Sequence, residues 1–248
     1  MSLIQDNKLI RSLLQNVKAG NNASFEQLYQ IYSGRIFTLC FRLLGNASLA
    51  EEITKTIFIT AWEQISLIRA DVSFGSWVLG IAVFNVLEKL RSRGNFQTAD
   101  DKNFKQKIDK KNYSISDFEN GILTLPQMQR LVYVLNVIEK YSEEETADLL
   151  LMKKEEIRNL LNDAQVKMNA LQNLIQSSDS IENQIETFSI IMPNKEVWKS
   201  IYAVINNVQL KKNKTSPNGE PATTDTSEQV MQQEKKEKKF GFFSWKKK

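Results

Sequence analysis

Apolar residues recur every three or four positions through most of the first ninety residues, and the polar breaks between them predict helices over roughly 3–18, 25–44, 49–66 and 75–92. Ser24 with Gln27 and Ser48 with Glu51 have the Ser-x-x-Gln/Glu spacing in which two side chains satisfy backbone N–H groups of a first helical turn, so they predict helix starts. Gly45-Asn46 breaks the second helix from the third, and "RADVSFG" breaks the third from the fourth. Residues 94–116, "GNFQTADDKNFKQKIDKKNYSIS", are polar and nearly devoid of aliphatic side chains, which predicts a flexible connector.

A second helical block follows. Thr124 is expected to cap a helix that has Pro126 near its first turn and runs to about Lys140. Ser142 with Glu145 caps the short "EEETADLL", and "KKEEIRNLLNDAQVKMNALQNLI" supplies a longer third helix. Its stripe of Ile157, Leu160, Leu161, Ala164, Met168 and Leu171 must pack on the helices before it. A further helix pair is expected at about 180–190 and 194–208, separated by Pro193-Asn194, with Val197, Trp198, Ile201, Val204 and Ile205 as a buried face. Residues 209–239 are too polar for a packed core and are assigned no structure. No strand alternation persists, so the fold class is all-α.

Composition narrows the chemistry. The 248 residues are 42% hydrophobic, enough for one large or two small cores. There is no His, and the single Cys40 lies in the apolar "IFTLCFRLLG" as a core residue, which argues against imidazole acid/base work, Cys/His zinc sites and disulfide scaffolds. No Gly-rich phosphate loop or metal-ligand cluster occurs. Glu143-Glu144-Glu145 stand at a helix start, where they suit the dipole and solvent rather than a catalytic pair. The chain is therefore expected to be no enzyme and to hold no cofactor. Its opening mixes charges into apolar positions and no run reaches the ~18 apolar residues of a spanning helix, so a cytoplasmic location is expected. Residues 1–176 carry 21 basic and 20 acidic residues, and residues 233–248 carry 7 and 2, which places the basic excess in the tail.

"FEQLYQIYSGRIFTLCFRLLGNASLAEEITKTIFITAWEQI" with "SFGSWVLGIAVFNVLEKLRSR" resembles the promoter-melting domain of extracytoplasmic-function (ECF) sigma factors of the sigma-70 family. "LTLPQMQRLVYVLNVIEKYSEEETADLLLMKKEEIRNLLNDAQVKM" resembles their helix-turn-helix domain. The resemblance covers about residues 8–172 and implies a four-helix promoter-melting and polymerase-binding domain over 1–93, a flexible linker over 94–116 and a helix-turn-helix domain over 117–176; the residue pattern beyond it adds a helical extension over 177–208 and a disordered tether with a basic aromatic tail over 209–248.

It also implies partners and sites. Core RNA polymerase would dock on "AEEITKTIF" through Glu51, Glu52 and Lys55, where the family usually has Gln in place of Lys55. Promoter DNA would meet the base-capturing loop at Arg69, Asp71, Ser73 and Phe74, followed by Asn85 and Lys89; a flipped base calls for an apolar or aromatic pocket with a few polar groups. The helix-turn-helix would contact DNA through Lys154, Arg158, Asn159, Asn162 and Lys167, since Arg, Asn and Gln can pair bidentately with guanine or adenine. An anti-sigma protein is a further expected partner, and the tail "KKEKKFGFFSWKKK" is expected to touch the inner membrane face peripherally.

Several positions depart from the family pattern. Val83 and Phe84 replace Arg and Asn, Leu151 replaces the turn Gly, and Asp163 sits in a reading helix that usually carries several Arg. Over residues 153–167 four positive charges meet three negative ones, so phosphate attraction is weak. A promoter-directing sigma factor is the leading expectation. A degenerate sigma-like protein, which sequesters a partner or occupies the polymerase clamp without opening DNA, is the alternative.

Overall fold

The structure is a computed structural model that describes residues 3–69, 71–92, 116–175 and 190–214. Among them every regular element is helical: α1 (Leu3–Lys18), α2 (Asn22–Leu44), α3 (Ala47–Glu63), a short 3-10 turn (Ile65–Leu67), α4 (Phe74–Ser92), α5 (Asp117–Thr124), α6 (Gln127–Tyr133), a π-helical turn (Val134–Ile138), α7 (Glu143–Leu150), α8 (Lys154–Ile175) and α9 (Lys195–Lys214). The expected connector apart from Ser116, the first helix of the extension apart from Ile190, and the tail beyond Lys214 lie outside the described residues. The chain divides into two units, Met1–Ile205 and Asn206–Lys248. The first contains both helical blocks and the opening turns of α9.

The elements were legible, but their starts shift. Asn21 and Asn46 cap α2 and α3, their side chains accepting from the N–H groups of Ser24 and Leu49. Asn is as good a cap as Ser and occurs earlier in each stretch, so the helices begin before the expected capping boxes, and Ser24 is buried inside α2. Thr124 likewise ends α5 rather than starting α6: its hydroxyl donates back to the Gly121 carbonyl, and Pro126 is the cap. The Ser142–Glu145 capping box is present as expected. The π turn after α6 was not anticipated. Helix α9 runs six residues past its expected end at 208.

Helix α2 is the central strut. α1, α3 and α4 pack along it, and its last six residues, Leu39 to Leu44, are all buried, so no face of that end remains for solvent. The second block closes over this end. Arg42 on α2 and Glu119 on α5 form a buried ion pair, with the Arg42 Nε 3.0 Å from both carboxylate oxygens and a further contact from Nη2 to Oε1. Arg130 on α6, fully buried, donates to the carbonyls of Leu123 (3.3 Å) and Leu43 (3.4 Å). Its guanidinium thus sits at the negative end of the α2 dipole, while desolvation lowers it to about 10. Gly45 makes this possible twice over. It takes φ 66° to end α2, and a Cβ there would lie 3.2 Å from the Arg130 guanidinium nitrogens. At the rim, Arg35 pairs with Glu139 (3.1 Å) and Arg91 donates to the Leu149 carbonyl (2.7 Å).

The extension also packs on α2. Ile191, Val197, Ile201 and Ile205 are buried; Trp198 and Val204, expected on the same face, are half-buried. The α8 stripe is partitioned in the same way, with Ile157, Ala164 and Met168 buried and Leu160, Leu161 and Leu171 half-buried.

Two stability predictions follow from this packing. Glu119→Ala leaves the Arg42 cation buried without a counter-charge and is expected to cost about 3–5 kcal/mol, whereas replacing both partners by apolar residues of similar volume recovers most of that loss. Urea unfolding of the single and double variants checks this. Leu151, in the turn between α7 and α8, takes φ 57° and is 81% exposed, so it bears left-handed strain without any gain from burial. Leu151→Gly is expected to stabilise by about 1 kcal/mol, read as a higher urea midpoint.

Candidate polymerase and nucleic-acid interface

The first cluster of expected site residues lies on α3, α4 and the loop between them. Position by position, α3 buries Ile53, Thr54, Ile57 and Phe58 and leaves Glu51, Glu52 and Lys55 on the outer side, with Glu52 exposed and the other two half-buried. Lys89 on α4 reaches across to Glu52 at 2.9 Å. One residue expected to touch DNA is thereby tied to one expected to touch polymerase.

In the loop, Arg69 and Asp71 form a two-pronged pair at 3.0 and 2.9 Å with both side chains about two-thirds exposed. Arg69 holds the Asp71 carboxyl below the usual carboxylate range. Ser73 accepts from the Ser76 N–H at 3.1 Å and so caps α4. Phe74, expected to offer its ring to a base, instead opens α4 with its ring 1% exposed, edge-on to Tyr32 at 5.2 Å and tilted against Trp77 at 5.9 Å. Its surroundings make it a core residue here. The polar, accessible part of the loop is Arg69, Asp71 and Ser73.

Further along α4, Asn85 is half-buried and donates to the Ile81 carbonyl of its own helix at 2.8 Å. Val83 is fully buried, so its apolar character is accounted for by the core; Phe84 is half-buried.

The second cluster is on α8, which follows α7 across the Leu151–Met152–Lys153 turn. Lys154, Arg158, Asn159, Asn162 and Lys167 are all exposed. The three cations are engaged within the chain. Lys154 contacts Glu144; Arg158 contacts Glu143 at 3.0 Å and Glu155 at 3.6 Å; Lys167 donates to the Gln129 carbonyl oxygen at 2.8 Å. Gln129 also meets Asp163, at 3.4 Å, so this departure from the family pattern has a local partner. The carboxylate of Glu143 first, with Glu155 behind it, holds the Arg158 guanidinium above its ordinary range.

Sequence reasoning placed the cations but missed Glu143, Glu144 and Gln129 as their partners. It read the acidic trio only as favouring its own helix. Exposed pairs of this kind are worth about 0–1 kcal/mol each, so an incoming phosphate can displace them at small cost. Asn159 and Asn162 complete a surface suited to polar base edges.

The comparisons with known proteins bear on the first cluster. Residues 28–96 match the family described as Sigma-70 region 2, a span that contains Glu51, Glu52, Lys55, the 69–74 loop, Asn85 and Lys89. The chain is 31% identical over 85 residues to the ECF RNA polymerase sigma factor SigW of Bacillus subtilis, covering 34% of this chain and 46% of that protein. It is 27% identical over 84 residues to the RNA polymerase sigma-H factor of Pseudomonas aeruginosa, covering 34% and 44%. The chain thus spans about half the length of the curated relatives it matches. Among solved structures, the sigma factor RpoE in complex with the anti-sigma factor NepR from Bartonella quintana is similar over 62% of this chain and 98% of that one, at 18% identity and a TM-score of 0.42. Residues 28–96, from within α2 to just past α4, are thus similar to Sigma-70 region 2, and an ECF sigma factor is among the relatives that this part of the chain resembles.

Proposed function

We propose that the chain acts as a sigma factor: it binds core RNA polymerase and directs it to promoters for the initiation of transcription. The observation that carries this reading is the Sigma-70 region 2 match over residues 28–96, which include polar side chains on the outer side of α3 and in the loop before α4. Glu51, Glu52 and Lys55 form a polar docking face on α3, and Arg69, Asp71 and Ser73 form an accessible polar loop beside it. The α8 surface supplies a second DNA contact through Arg158, Asn159 and Asn162. Because its cations are shared with Glu143, Glu144 and Gln129, its own attraction to phosphate is weak, and polymerase must bring it to the promoter. The reading requires no chemistry of its own from the chain, only binding and positioning. An anti-sigma protein is a natural partner for such a factor, as in the similar Bartonella quintana complex.

Run-off transcription with core polymerase on genomic fragments tests the proposal. Specific transcripts that depend on the protein are expected, and Arg158→Ala should lose about 1–3 kcal/mol of discrimination between promoters. Tight polymerase binding without any transcript would instead identify a protein that occupies the clamp without opening DNA.

The tail "KKEKKFGFFSWKKK" adds a peripheral contact to the proposal: seven Lys in residues 233–248 surround Phe240, Phe242, Phe243 and Trp245. Each Lys gains about 1 kcal/mol at an anionic surface while the rings enter the interface. The full chain is expected to float with anionic vesicles at low salt and a chain ending at Gln232 to stay behind; equal behaviour of the two would remove the membrane contact.

A further inference from the structure

Helix α2 carries a docking site whose occupant is another part of the same chain. At Gly34 the helix has no side chain, and the strap that precedes α9 comes in so close that a Cβ there would lie 2.4 Å from Ile190 Cγ2 and 2.6 Å from Met192 Sδ. One turn on, the buried Thr38 hydroxyl donates to the Gly34 carbonyl at 2.8 Å and accepts from the Ile191 N–H at 2.9 Å. The Thr38 grip is on backbone, since both hydroxyl partners are main-chain groups, and the Ile191 side chain is buried beside it. One turn before Gly34, Trp198 of α9 lies on Tyr29 with ring centroids 4.7 Å apart. Ile201 and Ile205 continue the contact as fully buried residues. Gly34, Thr38 and Tyr29 therefore form a groove along α2 fitted to an apolar strap followed by an amphipathic helix.

The location of the groove gives it a consequence. Tyr29 is shared: its other side packs edge-on against Phe58 of α3 at 4.8 Å. Burial pushes its phenol up to about 12, and the nearby Glu51 carboxylate adds to the shift. So Trp198 sits one ring away from α3, at the Glu51 end of the face assigned above to polymerase.

We infer that residues 190–205 are a built-in competitor of core RNA polymerase, seated in the α2 groove beside the Glu51–Lys55 docking face and displaced when polymerase binds. The inference rests on the sigma-factor reading of that face. A chain in which the strap is seated most of the time binds its partner more weakly by the fraction of time the groove is open. Loosening the strap raises affinity for polymerase, the reverse of what damage to a docking surface does.

The test compares the full-length parent with two full-length variants by titration against labelled core polymerase. Gly34→Leu fills the groove from the α2 side, at a helical position where Leu is also intrinsically favoured over Gly. Trp198→Ala/Ile201→Asn removes the contacts from the strap side, and leaves the groove itself intact. Both are expected to bind core on the order of tenfold more tightly than the parent. A peptide of residues 190–208 in excess should reverse the gain in the Trp198→Ala/Ile201→Asn variant and have little effect on Gly34→Leu, whose groove is blocked. If the parent binds core and both variants bind it equally or less tightly, the strap is a structural element of the domain and not a competitor. If neither parent nor variants bind core, the sigma-factor reading fails and this inference with it.

Discussion

The C-terminal end of α2 is the point on which the arrangement of the first unit depends. Arg42, Glu119 and Arg130 bring charge into a region from which water is excluded, and each is held by groups from the opposite helical block. Removing a charge from water costs several kcal/mol unless the partner and the geometry compensate. The buried pair therefore works as a registry device more than as a source of net stability: it makes any other juxtaposition of α2 with α5 and α6 expensive. Gly45 belongs to the same device, since without a Cβ it ends α2 in the left-handed conformation at little cost and leaves room for the Arg130 guanidinium.

This contrast between buried and exposed charge organises the functional surfaces. The pairs at the α2 end are dry and costly to break. Those on the outer surfaces, Lys89 with Glu52, Arg69 with Asp71, and Lys154 and Arg158 with Glu144 and Glu143, are wet and cheap to exchange. The surfaces proposed to meet polymerase and DNA thus have their charges pre-placed but weakly committed. Phosphate or a polymerase side chain can replace an intramolecular partner without disturbing the buried frame. Nearly balanced charge on α8 also limits indiscriminate DNA binding, whose strength grows with the number of phosphates neutralised.

The helices themselves were legible because most of them bury one face and the apolar spacing records it, as the stripe from Ile157 to Leu171 shows. The motif stretches also pointed to the family before any coordinates. What escaped was long-range or competitive. Asn21 and Asn46 preceded equally plausible Ser caps, and local sequence does not rank two good caps. Phe74 lay in a loop by pattern but turned into the core, where Tyr32 and Trp77 receive it. The Arg42–Glu119 pair joins residues 77 positions apart, and nothing in either local stretch marks it. The same holds for Thr38 and Ile191, 153 apart. The extension was expected to be helical with a buried face, yet its seat on α2 is set by a missing side chain at Gly34, a signal that a single sequence does not distinguish from any other helical glycine.

The account joins these levels in one claim: α2 is a strut used on several sides, by its own helical block, by the second helical block and by the chain's own strap, and the proposal is that polymerase gains access by displacing the strap. Amide hydrogen exchange of the full chain, alone and with saturating core polymerase, measures this most directly. The account predicts that the Ile191 amide and the amides of residues 195–205 are protected in the isolated chain and lose that protection in the complex, while the amides of α2 stay protected in both. Protection of residues 190–205 that is unchanged when polymerase is bound would contradict it.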